Sequence, residues 1–269
     1  LRGLGIAALF GPMLAPLPHE KRKRLALSRL CARLAEAVRA SMRAGRLPCV
    51  IGGDHTCAAG TWPGVASALP GPLGMVWIVA HLDSHTPATS RSGRLHGMPL
   101  AWLLGEDDER LFELDAGVLD ARHVCLIGVR SFEPEEAKRL SRLGVRVYFI
   151  DEVERRGVET VLGEALALAT RGTAGFGVSI DLDAITPEEA PGVATPAPQG
   201  IRSRELARAL AQAGRDPRLV ALELVEYCPR LDRDERTARV AVDLLLAALG
   251  GGARHEAQVL ADPLEREQP

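Results

Sequence analysis

The chain is 269 residues long, with 46% hydrophobic and 25% charged residues, proportions that suit a packed globular core and exclude a disordered chain. Its 33 basic and 35 acidic residues leave a formal charge of −2, so no net basic field draws it to nucleic acid, and five Phe, three Trp and two Tyr offer little for stacking bases. The longest apolar stretches, such as 71–80, fall well short of the roughly 20 residues that a membrane span needs. In chain order, Leu27, Leu30, Leu34, Val38 and Met42 recur at helical spacing and predict a helix over about 20–44, with the Lys-Arg-Lys-Arg run at 21–24 as a solvated turn. A strand follows at 48–52, a helix near 56–69 and a strand at 73–80. Strands at 123–129 and 145–150 flank a helix at 134–143, and a helix at 158–170 precedes a strand at 175–182. A helix at 203–213, a strand at 219–225 and a helix at 233–249 complete the pattern. The strand segments are continuously apolar rather than alternating, as expected for parallel strands buried on both faces, so the fold class is an α/β layer structure with a mainly parallel sheet.

No composition break divides the chain. Residues 1–250 read as a single domain, and 251–269, polar and rich in Arg, Glu and Pro, as a tail lying on the surface. Five cysteines (Cys31, Cys49, Cys57, Cys125, Cys228), odd in number and mostly set in apolar segments, read as reduced thiols of a cytoplasmic protein.

In a parallel sheet, ligands bind where the strands end. The strand ends here deliver Gly52-Gly53-Asp54-His55, then His81-Leu82-Asp83, then Asp181-Leu182-Asp183, then Glu226-Tyr227-Cys228-Pro229. Taken alone, Gly-Gly-Asp-His also fits a strand-to-helix turn with Asp54 as the cap. Two aspartates ending an apolar strand repel each other unless a cation lies between them. A spacing of two in extended chain puts His81 with Asp83, and Asp181 with Asp183, on one side. Imidazole and carboxylate together suit Mn²⁺, with Fe, Co, Ni or Zn as alternatives. Two such ions about 3.5–4 Å apart would supply a nucleophile near neutral pH, which makes the reaction class hydrolysis.

In order, Gly52-Gly53-Asp54-His55-Thr56, His81-x-Asp83 with Thr86-Pro87, Leu95-His96-Gly97-Met98-Pro99, Ser179-x-Asp181-x-Asp183 with Thr195-Pro196, and Glu226-Tyr227-Cys228-Pro229 resemble the signatures of the ureohydrolases, the family of arginases and agmatinases. The resemblance runs from about Leu1 to Leu249. It implies a three-layer α/β/α sandwich, a binuclear manganese centre and hydrolysis of a small guanidinium substrate to urea and an amine. By motif, it assigns His55, Asp83 and Asp181 to one ion, and His81, Asp181 and Asp183 to the other. It places Glu226 against the guanidinium and His96 as proton shuttle. The loop from Thr86 to His96 and the segment Gly128-Val129-Arg130-Ser131-Phe132-Glu133 resemble those of arginases. They put Ser92 and His85 near an amino-acid carboxylate and Glu133 near its ammonium, at positions where Asn and Asp are usual for His85 and Glu133. Glu135 and Glu136 read either as helpers there or as favourable charges on a first helical turn. The resemblance also implies a homo-oligomer, trimer or hexamer, and a first strand with its loop, roughly 20–30 residues, ahead of the segment resembling Leu1–Gly5.

One position departs from the pattern. The family motif is Asp-Ala-His-x-Asp, and here it reads Val79-Ala80-His81-Leu82-Asp83. The carboxylate that would bridge both ions is a valine, so two ions would share three carboxylates, and neither Ser84 nor His85 occupies the direction of residue 79. Three occupancies follow from that loss: two weakly held ions, one ion, or none. Arginine hydrolysis at reduced rate is one consequence. The alternatives are an impaired homologue serving as scaffold or partner subunit, or a hydrolase of agmatine, a guanidino acid or a formimino compound.

Overall fold

The six continuous apolar segments become six buried strands in the computed structural model, which describes residues 8–15, 23–106, 112, 114, 116–250 and 257–261. The elements run β1 (Ala8–Phe10), α1 (Lys23–Arg43), β2 (Leu47–Ile51), α2 (Ala58–Ala66), β3 (Leu73–Ile78), α3 (Pro99–Leu103), β4 (Val124–Val129), α4 (Pro134–Leu143), β5 (Arg146–Phe149), α5 (Ile150–Arg156), α6 (Val158–Ala169), β6 (Gly175–Asp181), α7 (Ser203–Ala213), β7 (Leu219–Val225), α8 (Arg236–Gly250) and β8 (Ala257–Ala261). The described strands form one sheet in the order β1-β8-β2-β7-β6-β3-β4-β5, with every pairing parallel.

Helices cover both faces. On one, Met75, Trp77 and Leu126 pack with Cys31, Leu34 and Val38 of α1, Trp62 of α2, Trp102 of α3 and Leu140 of α4. On the other, Val76, Ile78, Ile127 and Val178 pack with Val153 of α5, Val161 and Ala165 of α6, Leu206 of α7 and Leu244 of α8. Successive side chains of a strand point to opposite faces, so strands apolar at every position serve two cores at once. This is the expected α/β/α sandwich.

The helix that borders the candidate site is specified locally. In α4, Pro134 stands at the first position, Glu133 and Glu136 form a reciprocal capping box, and Gly144 at φ 76° closes the C-terminus in the left-handed region. Close approach dictates glycine at position 74 of β3, where a Cβ would sit 1.8 Å from the Ala169 carbonyl oxygen at the end of α6. Gly74→Ala is therefore expected to cost about 3 kcal/mol, because backbone must move to admit it. A urea-denaturation midpoint matching that of the parent chain would refute the close packing.

Two elements differ from the sequence reading. The strand expected to run through residue 150 ends at Phe149, and Ile150–Arg156 is helical. The expected surface tail contains β8, whose residues Ala257–Ala261 pair with β2 along its whole length and with β1 on the other side. Gln258, Val259 and Leu260 are too few to mark a strand in a polar stretch, and their strand character comes from distant neighbours.

Candidate metal centre

Because all strands run the same way, their carboxyl ends share one edge, where β2, β7, β6 and β3 lie side by side. Past β2, Asp54 caps a turn by accepting the Thr56 N–H at 3.0 Å. The cap and the site coexist, for the next residue, His55, is 1% exposed and meets groups from three other segments. Its ring stacks on Trp77 of β3 with centroids 4.4 Å apart. Its Nδ1 lies 2.9 Å from Asp83 Oδ2 and 3.0 Å from Asp181 Oδ2, and its Nε2 lies 2.9 Å from Ser179 Oγ.

The aspartates at the end of β6 are fixed in the same manner. Asp181 Oδ1 accepts the Asp183 N–H at 2.9 Å, and Asp183 Oδ1 accepts the Ala80 N–H at 3.0 Å. Each therefore ties one oxygen to the backbone and turns the other to an imidazole, Asp183 Oδ2 meeting His81 Nδ1 at 2.7 Å. Arg130 binds the turn that follows, its guanidinium donating to the carbonyls of Asp183 at 2.7 Å, Pro198 at 2.8 Å and Ala197 at 3.2 Å. Asp83 and Glu226 both hold left-handed backbone, at φ 47° and 66°. Such strain in non-glycine residues persists where the surroundings enforce it, and it gathers at functional sites.

Charge follows the geometry. Burial pushes the Asp181 carboxyl well above the usual range, with Asp183 beside it adding to the rise. Burial opposes protonation of His55, yet Asp83 and Asp181 raise it well above an ordinary imidazole. His81, likewise held against burial by its hydrogen bond to Asp183, rises to about 9. An edge that raises both imidazoles is calling for cations.

The donor set fits a divalent ion. His55 Nδ1 and one oxygen each of Asp83 and Asp181 all lie within 4.8 Å of one another. Two of the separations, 2.9 and 3.0 Å, match the roughly 3.0 Å between adjacent ligands of an octahedral ion with bonds of about 2.1 Å. One imidazole with two carboxylates is hard and mixed in character, as Mn²⁺ prefers. His81 and Asp183, implied for a second ion, are paired with each other. Val79, fully buried, extends β3 by donating its N–H to Ile127 O at 3.0 Å.

Every other residue singled out in the sequence lines one cavity of about 380 Å³ beside His55: His81, Asp83, Asp181, Asp183, Glu226, His96, His85, Ser92 and Glu133. Glu226 Oε1 accepts the His55 N–H at 2.9 Å and stands 3.5 Å from His96 Nδ1. At the mouth, His85 and Glu133 pair at 2.9 Å, while Ser92 lies on the exposed rim. Glu136 is buried, accepts the Ser84 N–H at 3.1 Å as well as capping α4, and is pushed by burial to about 7. Sequence reading gave no role to Trp77, Ser179 or Glu223. Glu223 carried a signal, a single charge inside the apolar Leu219–Val225 segment.

A parallel sheet that collects imidazoles, carboxylates and a cavity at its carboxyl edge defines a metal-dependent hydrolase. A model of the arginase family matches residues 15–250, and the chain belongs to that family, hydrolases of amidine and guanidino compounds. It is 41% identical over 220 residues to an arginase of Brevibacillus brevis, covering 81% of this chain and 74% of that relative. The solved native arginase of Bacillus caldovelox superposes with a TM-score of 0.82 at 37% identity, over 90% of this chain and 83% of that one. An Entamoeba histolytica arginase solved in complex with L-ornithine gives 0.81 at 27% identity, over 89% and 82%. No helix among the described residues is long and apolar enough to cross a membrane.

Proposed function

We propose that this chain hydrolyses L-arginine to L-ornithine and urea, with one Mn²⁺ held firmly by His55, Asp83 and Asp181, and a second held weakly by His81, Asp181 and Asp183. One convergence supports this reading: a donor set for a hard cation opens on the same cavity as Glu226 and His96. Relatives at 41% and 40% identity are arginases.

When bound, a divalent ion would lower the pKa of water beside it and supply a nucleophile near neutral pH. The remaining work belongs to the chain. Glu226 is oriented before substrate arrives, since the His55 N–H already anchors its Oε1 at 2.9 Å, and a planar guanidinium pairs with such a carboxylate through two N–H donors. His96 is raised above an ordinary histidine by its hydrogen bond to Glu226. It holds a proton to pass to the departing amine nitrogen as the C–N bond breaks. At the mouth, His85 and Ser92 receive the amino-acid carboxylate and Glu133 the ammonium, which requires the His85–Glu133 pair to open. The weak second ion follows from Val79, which leaves three carboxylates where four would serve. We place the enzyme in the cytoplasm as a homo-oligomer, trimer or hexamer, on its reduced thiols and the family resemblance.

Urea released from arginine after Mn²⁺ loading, and lost on treatment with a chelator, is the expected result. If arginine, agmatine, guanidino acids and formimino compounds all give no metal-dependent product, the reading fails in favour of an impaired homologue.

A further inference from the structure

Glu223 is a buried acid with no part in the chemistry above. It is fully buried in the middle of β7, directly across the ladder from Ser179 in β6. The Trp62 indole N–H donates to its Oε2 at 3.2 Å, and the Ser179 hydroxyl donates to the same oxygen at 2.8 Å. Its other oxygen, Oε1, has no hydrogen-bond partner. His55 Nε2 stands 2.9 Å from Ser179 Oγ and 3.9 Å from Glu223 Oε2.

The direction of this chain of bonds follows from what each group can give. An indole N–H only donates, so Oε2 is an acceptor, and a proton on the carboxyl would reside on Oε1. Ser179 therefore donates to Glu223 whether the acid is charged or neutral. A hydroxyl that has committed its one proton meets an imidazole nitrogen only by accepting from it. Nε2 of His55 must then carry hydrogen, and in the neutral ring Nδ1 is the bare nitrogen. It is Nδ1 that faces the oxygens of Asp83 and Asp181.

We infer that Glu223 is a positioning residue: through Ser179 it selects the Nε2–H tautomer of His55 and so reserves Nδ1 for the metal ion. The inference rests on the reading of His55 as a metal ligand. A second partner of this kind on a metal-bound histidine fixes the ring and raises its basicity, and its removal commonly costs 10–100-fold in affinity.

Glu223→Gln has the same shape but gains an N–H₂ that can donate to Ser179, which frees the hydroxyl to donate to Nε2 and drives the proton to Nδ1. In the metal-free protein, at a pH high enough for His55 to be neutral, ¹⁵N spectra of labelled histidine should show the Nε2–H form in the parent chain and a shift toward Nδ1–H in the variant. Mn²⁺ affinity, measured by chelator competition, should fall about 10–100-fold. Ser179→Ala, which keeps the Trp62–Glu223 bond and removes only the link, should lose the tautomer preference as well, and it decides the matter if Glu223→Gln does not fold. An unchanged tautomer and affinity in a folded variant overturns the inference. A parent chain that shows Nε2–H yet binds no Mn²⁺ overturns the metal reading instead and leaves the tautomer assignment standing.

Discussion

Val79→Asp is expected to bind two Mn²⁺ firmly where the parent chain binds one, and to release urea from arginine at least about 100-fold faster. Alternation along β3 and its extension puts residue 79 on the same face as Trp77, whose indole stacks on His55 and donates to Asp83 at 3.4 Å. The side chain is fully buried between the segments that carry His81 and Asp183. A carboxylate there adds a negative charge and oxygen ligands to a centre whose affinity for hard cations depends on ligand charge. Changes one layer farther out commonly cost 10–100-fold, so a direct ligand should matter at least as much. The metal-free variant should melt below the parent chain, because the new carboxylate is buried without a partner, and Mn²⁺ should restore it. Calorimetric stoichiometry and a urea assay test this together. An unchanged ion count with an unchanged rate would remove Val79 from the explanation.

Binding of Mn²⁺ should also tighten at least about tenfold for each unit of pH raised above 6.5, with at least one proton released per ion. In the metal-free protein the carboxylates hold His55 in its protonated form well above the usual range, and that proton must leave before Nδ1 can bind. Each displaced proton contributes a factor of about ten per pH unit. Where His81 is recruited too, as in the Val79→Asp variant, the slope should steepen by a further tenfold up to about pH 9, the value to which Asp183 holds it. The metal-free fold behaves in the opposite sense. Because the folded state raises the His81 pKa, its pairing with Asp183 stabilises fully below about 6.5 and is lost as pH climbs through about 9. Melting temperature without metal should therefore fall across that window. Calorimetry in buffers of different ionisation enthalpy counts the protons, and a pH-independent affinity would contradict the assignment of His55 as the ligand.

Most of the sheet was legible because parallel strands buried on both faces have a plain signature: β2 to β7 are apolar at nearly every position. Helices α4 and α7 were as readable, each with one apolar stripe, and α4 with Pro134 at its start and Gly144 at its end. What escaped was what depends on distant partners. Nothing separates β5 from α5, since Tyr148, Phe149 and Ile150 all favour a strand, and β8 acquires its structure from β1 and β2. The candidate site followed the same division. Ionisable residues at strand ends announced His55, Asp83, Asp181 and Glu226 directly. The pairing of His85 with Glu133, 48 positions away, and the part played by Ser179, which depends on the register of β7 against β6, exist only after folding.

Glu133 is both the N-cap of α4 and the wall of the cavity mouth. A single side chain thus answers to two pressures, since trimming or neutralising it to admit a different substrate head also removes a helix cap worth about 0.5–2 kcal/mol. Variation in substrate choice at this position is therefore taxed in stability. The lineage can change specificity there cheaply only with residues that still cap, chiefly Asp, Asn, Ser and Thr, which confines its accessible substrates before any substrate has been tried.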